Sequence, residues 1–321
     1  MVDIILIILG VILGLVLIFF LSIVVPFLIT FYMPTRSKKK LAGYSLPPGK
    51  VYKKYKKEIF GSTKEVRGLP HKSVEIKSYD GLTLRGKYFE CKKGAPIEIL
   101  MHGYKGTAER DVSMGVLRCF EQNRNALLVD LRGCGYSDGH IVTFGVKESE
   151  DTLSWINFII ENIDKDAKII LTGISMGSAT ALITASKENL PSNVVGVIAD
   201  CGFSSAEDII KKIIKRIHLP VNYMYNILKL GARWFGKFDL DKANVVNAVK
   251  NIKLPVAFFH GMADTFVPYY MTEKVYAECV SKKKMLLVEN APHGMAYVMD
   301  MEGYKKNLDW LMSQSNKRET K

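Results

Sequence analysis

Between Ile4 and Thr35 no side chain carries a charge. Cysteine is scarce elsewhere. The five residues Cys91, Cys119, Cys134, Cys201 and Cys279 form no C-x-x-C pair. That excludes a disulfide framework and suits a reducing compartment. No H-E-x-x-H, zinc-knuckle or EF-hand spacing occurs among the six histidines and the acids. A structural metal is therefore not expected. Acids are almost missing from residues 33–73, where Glu58 and Glu65 stand against twelve Lys/Arg. This tract supplies most of the net charge of +13. Basicity confined beside the most apolar stretch points to a membrane surface. With no recognisable binding motif, nucleic acid is not expected as a partner. At 24% charged and 48% hydrophobic residues, global disorder is excluded.

As a helix, Ile4–Val25 alone spans about 33 Å, the depth of a bilayer core. Pro26 is placed to kink or end the span, and Tyr32 lies where aromatic belts form. A signal peptide is the rival reading. It requires a basic start, a shorter apolar run and a small-x-small cleavage site, whereas this chain begins Met-Val-Asp and offers Thr30-Phe31-Tyr32. Residues 1–33 are read as a single transmembrane anchor. Arg36, Lys38, Lys39 and Lys40 follow it and only Asp3 precedes it, so the positive-inside rule places the rest of the chain on the cytoplasmic side. Gly10 and Gly14 form a G-x-x-x-G that suits a weak homodimer, or they are two ordinary membrane-helix glycines. Residues 34–73 read as a basic juxtamembrane linker with a short helix around Val51–Ile59. Its lysines either meet anionic lipid or are simply solvated.

From Val74 the pattern changes. Val74–Tyr79 and Leu82–Glu90 alternate about Asp80-Gly81, a hairpin signal. Short apolar runs follow at Ile97–Met101, Ala126–Leu131, Lys168–Thr172, Val194–Ala199, Pro255–His260 and Lys284–Glu289. Helical patterns separate them at Arg110–Gln122, Lys147–Asn162, Met176–Glu188, Tyr270–Val280 and Tyr304–Gln314. Buried strands alternating with helices predict a doubly wound, mostly parallel α/β sheet over residues 74–321, with ligands at the carboxy ends of its strands. Between Asp200 and Leu254 the connection is unusually long. Its segments Ala206–Ile217 and Tyr223–Phe235 read as a helical cap at about 204–250 with a greasy lining, or as an extra packed helix pair.

Gly173-Ile174-Ser175-Met176-Gly177 is a G-x-S-x-G between an apolar strand and a helix. The motif alone is weak, but a strand–turn–helix around it is the context of a nucleophile elbow. Small residues on either side let the helix approach the strand. The competing reading is an N-cap serine. A serine hydroxyl needs a base, and the base needs an orienting acid. His293, in Pro292-His293-Gly294 after the last strand, is the candidate base. His102 and His260 each end a strand and read as turn supports. His71, His140 and His218 lie in the linker, a loop and the cap. Asp264, in His260-Gly261-Met262-Ala263-Asp264, is the candidate acid, and Asp200 is held in reserve. Asp130 opens Asp130-Leu131-Arg132-Gly133-Cys134-Gly135-Tyr136-Ser137, read as a turn held by an Asp–Arg contact. The developing oxyanion requires fixed donors. The backbone N–H groups of Met176 and of Tyr104, in the loop His102-Gly103-Tyr104-Lys105-Gly106, are the candidates.

These pieces, in this order from about Val74 to Ser315, resemble the α/β-hydrolase superfamily. The likeness extends to its serine aminopeptidase-like and monoacylglycerol lipase-like branches and to membrane-anchored bacterial hydrolases. The resemblance implies an eight-stranded sheet, a helical cap and cofactor-free cleavage of an ester, thioester or amide. The expected function is a membrane-anchored serine hydrolase acting on a small, amphiphilic acyl ester through Ser175, Asp264 and His293. A peptidase of the same fold is the second reading, and a non-catalytic scaffold the third.

Overall fold

Alternation around Asp80-Gly81 folds the first two strands into a hairpin, β1 (Lys72–Lys77) and β2 (Thr83–Phe89), with Val74 opposite Gly86. Gly81 takes φ +89° in the turn, and the Ser78 hydroxyl accepts the Leu82 N–H at 2.8 Å. The computed structural model describes residues 2–35, 37 and 41–316. Six more strands follow: β3 (Ile97–Met101), β4 (Asn125–Val129), β5 (Ile169–Ile174), β6 (Val194–Asp200), β7 (Val256–Gly261) and β8 (Lys283–Val288). Together they form one eight-stranded sheet in the order β1-β2-β4-β3-β5-β6-β7-β8. The β1–β2 and β2–β4 pairs are antiparallel and every other pair is parallel.

The continuous apolar runs are explained by burial on both faces. Ile99, Leu171, Val197 and Phe258 face one side of the sheet. There they meet α4 (Val146–Asn162), α5 (Met176–Ala185) and the helices that follow β6. Their neighbours Leu100, Ile170, Ile198 and Phe259 face the other side, under α3 (Ala108–Glu121) and α9 (Met301–Asn316). One acid interrupts this pattern. Glu98 is fully buried in β3, bonded to Arg118 and Arg124 at 2.6 Å each and to the Thr172 hydroxyl at 2.9 Å. Burial opposes its charge, but the two guanidinium groups outweigh that and hold the carboxyl at about 2.

α1 (Val2–Phe31) is a single helix containing Pro26. Its large side chains are exposed up to Leu21; beyond that one face is buried, with Ile23, Phe27 and Phe31 in the main core, while Val25, Leu28 and Ile29 stay exposed. The chain then adds Tyr32 to a bridge with Ile141, and Phe31 O accepts the Val142 N–H at 2.9 Å. Arg36, Lys38, Lys39 and Lys40, on which the orientation rests, lie outside the described residues. The segment read as a linker holds a 3-10 turn, Lys50–Tyr55, and α2 (Lys56–Gly68), longer than the short helix predicted. Tyr52, Tyr55, Ile59 and Val66 recur at helical spacing and are buried. The long connection after β6 contains α6 (Ala206–Arg216), α7 (Val221–Gly231) and a π turn, Ala232–Gly236. α8 (Tyr270–Glu278) links β7 to β8.

Candidate active site

β5 passes into Ser175 and directly into α5. Ser175 sits at φ +57°, ψ −116°, a backbone state that L residues avoid unless the surroundings enforce it. Two glycines make the turn possible. A Cβ on Gly173 would lie 2.0 Å from Gly177 O, and one on Gly177 2.2 Å from Met101 O. The Ser175 N–H donates to Asp200 O at 2.8 Å, tying the turn to β6.

His293 follows β8, and its Nδ1 lies 2.5 Å from Asp264 Oδ2. That contact places the ring hydrogen on Nδ1 and leaves Nε2 as the basic nitrogen. Nε2 faces Cys201 Sγ at 3.9 Å. Among the described residues the Ser175 hydroxyl makes no hydrogen bond to it, although Ser175 and His293 line one cavity. Such bonds commonly tighten only when substrate is bound. Asp264 is fixed from several sides. Its Oδ1 accepts the N–H groups of Phe266 and Val267 at 2.8 and 2.9 Å. Its Oδ2 also meets His260 Nε2 at 3.1 Å. Burial works against the charge, but the hydrogen bonds and charges of His260 and His293 prevail and hold the carboxyl at about 2.

The reserve acid, Asp200, is engaged elsewhere. Its Oδ2 accepts the Tyr304 hydroxyl at 3.1 Å, and burial raises it to about 6. His102 supports a turn as expected, its Nε2 accepting the Leu131 N–H at 3.0 Å. His260 does more than that. Its Nδ1 lies 2.7 Å from the Thr272 hydroxyl, so the ring is clamped against Asp264. His140 stacks on Tyr32 at the end of the apolar helix. Among the described residues no arginine makes the contact expected at Asp130. Asp130 accepts the N–H groups of Ala108 and Tyr136 at 2.9 Å each, while Arg132 pairs with Asp151 and Asp80. A buried carboxylate is satisfied as well by two amides as by a guanidinium, and sequence spacing does not distinguish the two.

Cys201, Asp264 and His293 bring one ligand atom each within 4.8 Å of one another. Burial drives the Cys201 thiol well above its ordinary range, and a metal would require the thiolate. His293 Nδ1 is already committed to Asp264. The donor set therefore suits proton transfer better than an ion.

The loop after β3 brings Gly103 against the serine, where a Cβ would lie 3.4 Å from Ser175 Cβ. The backbone N–H groups of Tyr104 and Met176 have no acceptor among the described residues. The Tyr104 hydroxyl donates to Thr30 O in α1 at 2.5 Å. The cavity beside Ser175 measures about 810 Å³. The connection after β6 contributes only Arg216 to its wall, so the greasy lining expected from that connection lies elsewhere. Apolar cover comes instead from Pro47, Val51, Tyr52, Ile59, Met114 and Met295. Tyr52 also donates its hydroxyl to His293 O at 3.0 Å, bracing the histidine loop. The helix expected around Val51–Ile59 includes Tyr52, but no local pattern says what that residue packs against.

A family profile described as alpha/beta hydrolase fold matches residues 99–245. The uncharacterized protein YfhR of Escherichia coli K12 is 25% identical over 252 residues, covering 76% of this chain and 81% of that protein. The uncharacterized protein YqkD of Bacillus subtilis is 25% identical over 193 residues, or 60% of this chain. That match spans 63% of YqkD, under two-thirds of its length. Among solved structures, the Pyrococcus furiosus esterase Pf2001 superposes with TM-score 0.63 at 22% identity, over 78% of this chain and 93% of the esterase. In topology, in the strand–turn–helix at Ser175 and in these likenesses, the chain is an α/β-hydrolase-fold protein.

Proposed function

We propose that the chain is a membrane-anchored serine hydrolase that cleaves carboxylic esters through an acyl-enzyme. The observation that carries this reading is Ser175, held at φ +57° on the wall of one cavity with a histidine that is hydrogen-bonded to a buried carboxylate at 2.5 Å. Ser175 Oγ attacks the acyl carbon while His293 Nε2 takes its proton. Asp264 orients the ring and stabilises the imidazolium. The N–H groups of Tyr104 and Met176 receive the oxyanion. His293 returns the proton to the departing alcohol, and water then releases the acid by the same steps in reverse. The largely apolar cover over the cavity favours an amphiphilic acyl substrate. Asp111, the acid on the cavity wall near Ser175, is bonded to Arg110 at 2.5 Å. A peptide's amino terminus would have to displace that arginine, which favours esters over peptides.

The packed end of α1 supports an uncleaved anchor, since cleavage after residue 33 would remove Ile23, Phe27 and Phe31 from the core. The charge asymmetry favours a cytoplasmic hydrolase domain. Gly10 and Gly14 remain open for a weak homodimer, a Cβ on either meeting nothing within 4 Å. A fluorophosphonate probe should label the wild type and leave Ser175→Ala unlabelled. A wild type that fails to react would make the chain a non-catalytic scaffold. Aminoacyl-nitroanilides cleaved faster than p-nitrophenyl esters would make it a peptidase.

A further inference from the structure

α1 changes character at one level. From Val2 to Leu21 its large side chains all face outward; from Ile23 every fourth residue faces the protein, and only the opposite face, with Val25, Leu28 and Ile29, stays exposed. About 20 outward-facing residues at 1.5 Å each span about 30 Å, the thickness of a bilayer's hydrocarbon. The lipid boundary therefore falls near Ser22. At that height the π turn Ala232–Gly236 meets the helix. The Phe235 ring stands edge-on to Phe20 at 5.9 Å and lies 5.4 Å from Phe27. Beside it, Trp234 is 48% exposed and Phe235 37% exposed. The flanking residues are basic: Arg233, held loosely by Asp239 at 3.6 Å, and Lys237, which is exposed.

We propose that this turn is a second membrane contact. Trp234 and Phe235 lie in the lipid–water interface of the leaflet from which α1 emerges, and Arg233 and Lys237 meet lipid phosphates. An indole has an apolar body and one N–H donor, which suits that layer. The partner is the bilayer because the turn continues the lipid-facing surface of α1. The inference rests on α1 being an anchor.

The contact fixes the height of the candidate site. Thr30 O and Ile29 O hold Tyr104 and Lys105 of the oxyanion loop. Thr30 stands eight residues past Ser22, about 12 Å along the helix, just above the headgroup layer. The site would then work on acyl amphiphiles at the leaflet surface.

The test uses the full chain in vesicles of phosphatidylcholine and phosphatidylglycerol carrying a nitroxide at the headgroup, at acyl carbon 5 or at carbon 12. The emission contributed by Trp234 is the difference between wild type and Trp234→Phe. It should fall at least two-fold with the headgroup or carbon-5 label and little with the carbon-12 label. Trp234→Ala should lower hydrolysis of a vesicle-borne monoacyl ester five- to ten-fold and leave hydrolysis of soluble p-nitrophenyl acetate unchanged. A chain that floats with vesicles while its Trp234 ignores all three labels would overturn the contact and leave the anchor standing. Greatest quenching at carbon 12, or a dimer that dissociates when Trp234 becomes Asp, would also overturn it. A chain that does not float would overturn the anchor and the contact together.

Discussion

Asp264 receives four contacts from protein donors, and each constrains where His293 can point. On the proposed mechanism, Asp264→Asn leaves the packing but invites the wrong imidazole tautomer, so kcat should fall roughly 10³–10⁴-fold with little change in melting temperature. His260 is a positioning residue. His260→Gln should lower kcat about ten-fold with KM nearly unchanged, as steady-state kinetics on a p-nitrophenyl ester will show. Equal loss in both parameters would point to general disorder instead. Asp200 provides a separate test by pH. Burial raises its carboxyl to about 6, above the unfolded value. Its contribution to stability is thus complete below about pH 4 and disappears as pH rises through 6. Asp200→Asn should therefore be more stable than wild type at pH 7, by about 3 kcal/mol. The advantage should vanish below pH 4 in denaturant titrations.

Among the elements, the β5–α5 turn shows how a sequence motif becomes geometry. The glycines at 173 and 177 are legible as small residues flanking a serine. What they make room for, backbone carbonyls near 2 Å from any added Cβ, belongs to β3 and to the turn itself. Gly177→Ala should cost about 3 kcal/mol or more, because the obstructing atom is Met101 O rather than a flexible side chain. Thermal unfolding in detergent measures it. Strands were legible to within about two residues, since two-sided burial demands unbroken apolar runs. Glu98 was not legible as an exception, because its arginine partners come from α3 and from the turn after it. The cover over the cavity was misplaced for a similar reason. The apolar residues of α6 and α7 pack into the core and against α1, and the cavity is closed by residues before β1.

At the level of the molecule, the far end of the apolar helix is part of the folded body. Phe31 packs against Phe144 and Phe238 at 5.9 and 5.4 Å between ring centres, and it is wholly buried. Phe31→Ala should cost about 3–5 kcal/mol, read as a lowered melting temperature in detergent. A chain that starts after Met33 should aggregate for the same reason. Intact residues 1–33 on the purified protein, found by mass spectrometry, are the corresponding expectation; a mature form lacking them would sink the anchor.

By itself the sequence determined the doubly wound sheet, the elbow at Ser175, and the positions of Asp264 and His293 at strand ends, because period, strand length and turn chemistry are local properties of the chain. Only the tertiary structure decided which acid reaches His293, that His260 clamps that acid, that Asp130 is held by amides, and that the segment after the apolar helix closes over the site. Those outcomes depend on contacts between residues far apart along the chain, and no local pattern encodes which distant partner a buried polar group or an apolar face will meet.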